Sequence, residues 1–421
     1  MKLETICVQG AYKPKNGEPR VFPIVQSTTY KYDSSQEMGD LFDLKATGYF
    51  YSRLQNPTCD NAAAKIALLE GGVAAMLTGS GQAAAFYSVF NIAQAGDHIV
   101  SSSAIYGGTF NLFNVTMRKL GIDFTFVSPH ASEDELRAAV KPNTKAFFGE
   151  TIANPSLEIL DIEKFAKVAH EAGVPLIVDN TFATPVNCRP FEWGADIVMH
   201  STTKYMEGHA STIGGVVVDS GKFDWTQNDK FPGLTQPDDS YHGLVYSDLG
   251  EAAYITKATV QLMRDLGSVQ SPQNAFLLNM GLETLHLRMP RHCENAKKVA
   301  EYLQNHDKVE WVECAMLPGD RQYEAAQKYM PNGTCGVVSF GIKGGREAAT
   351  KFMDSLRLAA IVTHVADVRT CCLHPASTTH RQLTDEELVA AGVSPDLVRF
   401  SVGIENADDI IADIEQAFAQ V

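Results

Sequence analysis

Hydrophobic positions along the chain fall into short runs separated by segments of helical period. Apolar runs occupy residues 74–77, 98–100, 123–127, 144–148, 174–178, 196–199 and 213–218. Each is short, most end at glycine or polar turn residues, and each suits a buried strand. Between them, residues 61–70, 82–93, 110–120, 133–140 and 161–172 carry helical patterns. Thr58 suits the cap of the first of these helices, and Gly71-Gly72 its stop. Asp161 and Gly173 suit the same roles for the last. Strand and helix in alternation predict an α/β protein with a mostly parallel sheet covered on both faces.

The pattern changes at both ends of this block. Residues 271–305 form one long helical pattern, with Pro290 predicted to kink it. Strand-like runs at 336–340 and 398–402 and a closing helix at 408–420 predict a second, smaller α/β domain. Residues 1–55 show no sustained period, and Tyr49-Phe50-Tyr51-Ser52-Arg53 gathers aromatics around one arginine. Such an arm belongs over the surface or against a neighbouring subunit. Residues 219–250 are polar, aromatic and turn-rich, and read as an inserted surface loop. The expected organisation is an arm at 1–55, a large domain at 56–270 containing the 219–250 insertion, and a small domain at 271–421. A chain of 421 residues exceeds what one core usually serves.

Composition narrows the function classes. The formal net charge of −15 argues against nucleic acid and anionic membrane surfaces as partners. No apolar run is long enough to span a bilayer, and the first residues lack the apolar stretch of a signal peptide. Eight scattered cysteines without a CxxC pair predict reduced cytoplasm, no disulfide framework and no metal site.

The candidate chemistry sits where strands end. In His200-Ser201-Thr202-Thr203-Lys204 a lysine follows the apolar run 196–199. A buried lysine has a depressed pKa and serves as an amine nucleophile that forms a Schiff base. A strand-end lysine reaching solvent fits the same letters. Ser201 and Thr203 can donate to a phosphate. Asp179 ends the run 174–178, at the edge where α/β ligand sites form. A carboxylate there can keep a pyridine nitrogen protonated and make the ring an electron sink; it can equally cap the next turn. Thr78-Gly79-Ser80-Gly81-Gln82 joins strand to helix and can present free amides to an anion, or be a plain glycine turn. Tyr106 can stack on a flat ring or fill a core. Asn154 can hydrogen-bond a ring hydroxyl or shape a turn. Arg399, inside an apolar run, needs an anion: a substrate carboxylate or a structural ion pair.

Taken together, these stretches resemble the pyridoxal-phosphate enzymes of cysteine and methionine metabolism over essentially the whole chain. The residues that carry the resemblance are the lysine stretch 196–209, Val178-Asp179-Asn180-Thr181, Tyr51-Ser52-Arg53 and Arg399-Phe400-Ser401-Val402-Gly403. Ala210 is a mild departure from the usual Ser, Gly, Asn or His. His374-Pro375-Ala376-Ser377-Thr378-Thr379-His380-Arg381-Gln382-Leu383 and the 219–250 insertion are most similar to the O-acetylhomoserine sulfhydrylase branch. Gly108 stands where methionine γ-lyases typically have cysteine.

The resemblance implies an aspartate aminotransferase-like fold of type I and pyridoxal 5'-phosphate as cofactor. It implies Lys204 as the Schiff-base lysine, Asp179 at the pyridinium nitrogen and Tyr106 stacked on the ring. Gly81, Gln82, Ser201 and Thr203 would bind the phosphate, with Tyr51 and Arg53 reaching that of a neighbouring subunit. Asn154 would contact the ring oxygen. Arg399, with Tyr51, would hold the substrate. The implied reaction replaces the acetyl ester of O-acetylhomoserine by sulfide or methanethiol, giving homocysteine or methionine plus acetate. The alternatives are a γ-lyase acting on methionine or homocysteine, a cystathionine γ-synthase-like activity, and a binding protein with a degenerate site. A cytoplasmic homo-oligomer, a tetramer built from dimers, is implied as well.

Overall fold

A computed structural model of the chain describes residues 1–378 and 394–421. The run 374–383 that carries part of the resemblance is therefore seen only to Thr378; its remainder lies outside the described residues. The first sheet has seven strands: β1 (Ala74–Thr78), β2 (His98–Ser102), β3 (Asp123–Val127), β4 (Thr144–Glu150), β5 (Leu176–Asp179), β6 (Ile197–His200) and β7 (Gly215–Asp219). Their order is β1-β7-β6-β5-β4-β2-β3. From β6 to β3 every pairing is parallel, while β7 runs antiparallel to both β6 and β1. Helices cover both faces, which is why Val100, Phe147, Ile177, Val198 and Val218 are all fully buried and why the strands read as continuous apolar runs. The mostly parallel sheet is as expected. Hydrophobicity carries no strand direction, so the reversal of β7 was not legible.

The second sheet comprises β8 (Val309–Glu313), β9 (Val337–Ile342), β10 (Ala360–Ile361), β11 (Cys371–Leu373) and β12 (Leu397–Ser401), ordered β10-β11-β12-β9-β8. It closes over its own core of Val338, Phe340, Phe352, Phe400, Ile414 and Phe418. One helix, Pro272–Gln304, serves both units. Leu278, Leu282 and Leu285 enter the first core, and Val299, Ala300 and Leu303 the second. Pro290 lies inside this helix, which continues past it. The proline removes a single backbone donor, and buried Met289, Cys293 and Ala296 hold the turns around it.

One expectation needs correction and two gain detail. The segment 1–55, without a sustained period, holds two short helices: α1 (Leu3–Gln9) and α2 (Ser35–Phe42) are two turns each, too short to display a period. The helix α3 (Pro57–Glu70) is capped by Asn56 and not by Thr58. The Asn56 side chain accepts from the Thr58 N–H at 3.0 Å, because Pro57 takes the first helical position. Thr58 instead ties down the arm, donating to Pro23 O and accepting from Val25 N, each at 2.9 Å. The 219–250 stretch is irregular and mostly at the surface, but a few side chains anchor it. Phe223, Trp225, Phe231 and Tyr246 are buried, and Trp225 stacks on Tyr254 at 5.5 Å. Anchors spaced irregularly along a polar stretch leave no periodic signal.

The long helix also holds the Lys204 loop. Gly281 meets that loop backbone to backbone, since a Cβ there would lie 2.3 Å from Glu207 O. Arg288, buried and drawn down to about 10 by that burial, donates to Tyr205 O at 2.7 Å, Met206 O at 3.3 Å and Gly281 O at 2.7 Å. Arg288→Met removes these three donated bonds. We expect it to lower stability by about 3 kcal/mol, read as a shifted urea midpoint at constant slope.

Candidate active site

Parallel pairing of β5 with β6 sets Asp179 opposite Met199 at the carboxyl edge of the sheet. Thr181 joins the two strand ends. Its backbone N–H and hydroxyl both donate to Asp179 Oδ1, at 3.0 and 2.5 Å, and its Oγ1 accepts from Ser201 N at 2.9 Å. Asp179 Oδ2 accepts no hydrogen bond among the described residues. Burial raises the Asp179 pKa, and the Thr181 bonds and His200 oppose that rise.

Lys204 leaves the end of β6 in a tight turn. Gly208 N donates to Lys204 O at 2.8 Å, and Gly208 has φ +77°, a conformation that favours glycine. Burial, with Arg399 nearby, lowers the Lys204 ammonium to about 8. No carboxylate pairs with it among the described residues. Its Nζ lies 3.3 Å from His364 Nδ1.

Beside this loop the helix α4 (Gly81–Phe90) begins. Ser80 caps it through the Ala83 N–H at 3.1 Å. The N–H groups of Gly81 and Gln82 have no acceptor among the described residues, as expected for a first turn. A Cβ on Gly81 would lie 2.5 Å from Ser201 Cβ, so only glycine lets this turn close on Ser201. The Ser201 hydroxyl is free of partners among the described residues. The Thr203 hydroxyl is not, because it donates to Gly214 O and accepts from Gly214 N, both at 3.1 Å. Gln82 Oε1 accepts from Thr109 at 3.2 Å.

Arg399, on β12, reaches this edge from the second sheet. It donates to Asn154 Oδ1 at 3.2 Å and to the carbonyls of Thr363 and His364 at 3.3 Å, while its Nε is buried without a partner. Burial draws it down to about 10. A structural ion pair was one reading of this residue, but among the described residues Arg399 meets no carboxylate within salt-bridge distance. Tyr106 is half exposed, and its backbone N–H donates to Glu150 Oε2 at 2.6 Å.

Tyr51 and Arg53 lie elsewhere. The Arg53 guanidinium sits 5.2 Å from the centre of the Tyr51 ring and donates to Arg264 O at 2.5 Å. Both line a cavity of about 550 Å³ with Phe42, Phe50, Tyr241 and Arg264. Within one chain they do not join Lys204.

Three polar features escaped the sequence reading. Glu150 lies at the end of β4 directly beside Asp179; burial and the Asp179 charge push its pKa well up, which favours its protonated form. It closes an apolar run as Asp179 does, so the same signal marked it. Glu70 and His200 form a fully buried pair at 2.5 Å, and Asn180 donates to Glu70 at 3.0 Å. His364 sits in a loop of mixed polarity, Val362-Thr363-His364-Val365-Ala366-Asp367, with no pattern to reveal it.

The donor set fits a phosphorylated pyridine aldehyde. A free carboxylate oxygen, a near-neutral amine, a cluster of free amides with one hydroxyl, and an unpaired guanidinium converge on one edge. No three or more His, Cys, Asp or Glu among the described residues are grouped to hold a metal ion.

Residues 4–419 match the family model of the Cys/Met metabolism PLP-dependent enzymes. The O-acetyl-L-homoserine sulfhydrylase of Leptospira meyeri is 46% identical over 431 aligned positions, covering 100% of this chain and 97% of the relative. The homocysteine synthase of Schizosaccharomyces pombe is 47% identical, covering 99% and 97%. Among solved structures, a putative O-acetylhomoserine (thiol)-lyase from Campylobacter jejuni superposes with a TM-score of 0.96 at 36% identity, with all of both chains covered. It was solved with N'-pyridoxyl-lysine-5'-monophosphate.

The low Lys204 pKa has a direct consequence. Cyanate reacts only with unprotonated amines. In cofactor-free protein, carbamylation of Lys204 followed by peptide mass should reach half its maximal rate near pH 8, whereas exposed lysines should do so near about 10.4.

Proposed function

The chain belongs to the Cys/Met metabolism PLP-dependent enzymes, and on that footing we propose that it performs γ-substitution on O-acetylhomoserine. Sulfide or methanethiol takes the place of the γ-acetoxy group, giving homocysteine or methionine plus acetate. The observation that carries this is Arg399: a buried guanidinium without a carboxylate, one residue's reach from Lys204, ready for the α-carboxylate of an amino acid. The names of the relatives supply the substrate class.

Pyridoxal 5'-phosphate, when bound, supplies the electron sink that carbanion chemistry needs. Asp179 would keep the pyridine nitrogen protonated, with the protonated form of Glu150 favoured beside it. Tyr106 would stack on the ring, and Asn154 would contact the ring oxygen. The amides of Gly81 and Gln82 and the hydroxyl of Ser201 would hold the phosphate, and Thr203 would join them by giving up its bond to Gly214 O. Lys204 would be the residue that anchors the group, and its amine, once free, would be the base for the Cα proton. A lysine near 8 is well placed for this, because a reactive share of it is unprotonated near neutrality, where an ordinary lysine is almost wholly charged, and it still holds the proton it receives.

Gly108 favours substitution over the γ-lyase reading. Methionine γ-lyases typically carry cysteine at this position; here a Cβ would come 2.5 Å from the Tyr106 ring, so a side chain would have to shift that ring from the place it takes beside glycine. The arm at 1–55 is assigned to a neighbouring subunit's site, with Tyr51 and Arg53 reaching its phosphate and Tyr51 its substrate. That assignment makes a dimer the smallest active unit, and a tetramer of two such dimers the full assembly. The large and small domains are placed at 56–270 and 271–421. No helix among the described residues is long and apolar enough to cross a membrane, and the site is assigned to the cytoplasm.

Purified protein given O-acetylhomoserine and sulfide should release homocysteine and acetate. Given methionine alone, it should release little methanethiol or 2-oxoacid; the reverse ranking identifies a γ-lyase. Lys204→Ala should lower turnover by about 10³-fold. Arg53→Ala should weaken cofactor retention by about 10-fold or more, and mixing it with the Lys204→Ala protein should restore part of the activity through hybrid dimers.

A further inference from the structure

Lys204 has one neighbour without a role in the reaction above. His364 lies between β10 and β11, with Nδ1 3.3 Å from Lys204 Nζ. Its Nε2 is buried, makes no hydrogen bond among the described residues and faces Asp367 Oδ2 at 4.0 Å. Its backbone is pinned, since its carbonyl accepts from Arg399 Nη2 at 3.3 Å and from Cys371 Sγ at 3.4 Å. The three side chains thus stand in line as Asp367, His364 and Lys204.

We propose that His364 is a positioning residue for Lys204. Its Nε2–H is turned toward Asp367, so the bare Nδ1 accepts one N–H of Lys204 and directs the amine lone pair at the substrate Cα. The proposal rests on the γ-substitution reading for what lies at that Cα, but the contact itself belongs to this chain alone.

The electrostatics decide between holding the amine and relaying its proton. The charged groups around the imidazole are Lys204 and Arg399, which oppose its protonation, and Asp367 and Glu207, which favour it. Burial is the largest influence, and together they bring His364 to about 4, far below the value of about 8 at Lys204. A proton taken from the substrate therefore stays on Lys204. The imidazole remains neutral near neutral pH, and its Nδ1 remains an acceptor in every state of the lysine. A carboxylate behind an imidazole is a recurrent means of orienting it; here Asp367, at 4.0 Å and without a hydrogen bond, acts as a charge that favours the Nε2–H tautomer.

Two variants separate orientation from packing. His364→Leu removes the acceptor. His364→Asn keeps one, because Asn Oδ1 occupies nearly the place of His Nδ1. In cofactor-free protein, the midpoint of Lys204 carbamylation should fall by about 0.5 to 1 pH unit in His364→Leu, since the ammonium loses a partner. It should stay at the wild-type value in His364→Asn. In cofactor-loaded protein, NMR in D₂O follows exchange of the Cα proton of L-norleucine, which carries no leaving group. Exchange should slow about 10-fold or more in His364→Leu, at a cofactor affinity near that of wild type, and stay within about threefold of wild type in His364→Asn.

A leucine variant that matches wild type in either measurement overturns the proposal, as does an asparagine variant impaired to the same degree as leucine. Absence of Cα exchange in the wild-type protein would instead overturn the γ-substitution reading, and the carbamylation midpoints would still decide the role of His364.

Discussion

A lysine side chain enclosed by the chain with no carboxylate to accept its charge is the constraint around which this molecule is arranged. Desolvation disfavours the ammonium, and Arg399, of the same sign, adds to this more than the distant Asp367 carboxylate offsets. Both effects push Lys204 toward the neutral amine, which is the form that condenses with an aldehyde and abstracts a proton. Keeping an uncompensated pair of this kind in place takes a stiff surround. Arg288 and Gly281 on the long helix clamp the backbone of the Lys204 loop. Thr181 links that loop to the end of β5.

The opposite sign accumulates at the strand ends. Asp179 and Glu150 are both buried, side by side at the carboxyl edge of β4 and β5. Like charges so close cannot both ionise cheaply. The chain answers this by placing hydrogen-bond donors unevenly. Asp179 receives two from Thr181. Glu150 receives a single amide, from Tyr106. The result is a polarised site, with carboxyl groups at the ends of β4 and β5 and with free amides and a guanidinium beside them, as the proposed binding of a ring nitrogen, a phosphate and a carboxylate requires. His364 stands between the two cations, and its neutrality lets it touch Lys204 without adding to the repulsion.

Much of this was legible because burial on both faces writes strands as unbroken apolar runs, and functional groups punctuate their ends. Asp179, Lys204 and the Gly81 turn were visible for that reason, and Arg399 because a charge inside an apolar run is anomalous. Glu150 carried the same signature and was passed over. Other features leave no trace in a pattern of polarity. The direction of β7 is one, and the capping of α3 by Asn56 is another, since Pro57 moves the cap by two positions. The burial of Phe223, Trp225 and Phe231 inside a polar stretch is a third. His364 was invisible because its contact to Lys204 joins residues of two different sheets, 160 positions apart. Tyr51 and Arg53 show the converse. The resemblance pointed them at a phosphate, yet within one chain they turn to Arg264 and Tyr241, an arrangement consistent with the proposal that they serve another subunit's site.

The central claim is that one particular amine carries the cofactor. The most direct measurement is borohydride reduction of the cofactor-loaded protein, followed by proteolysis and peptide mass mapping. The account predicts a single pyridoxyl phosphate adduct on the peptide containing Lys204. An adduct on another lysine, or a loaded protein in which reduction fixes nothing to Lys204, would contradict it.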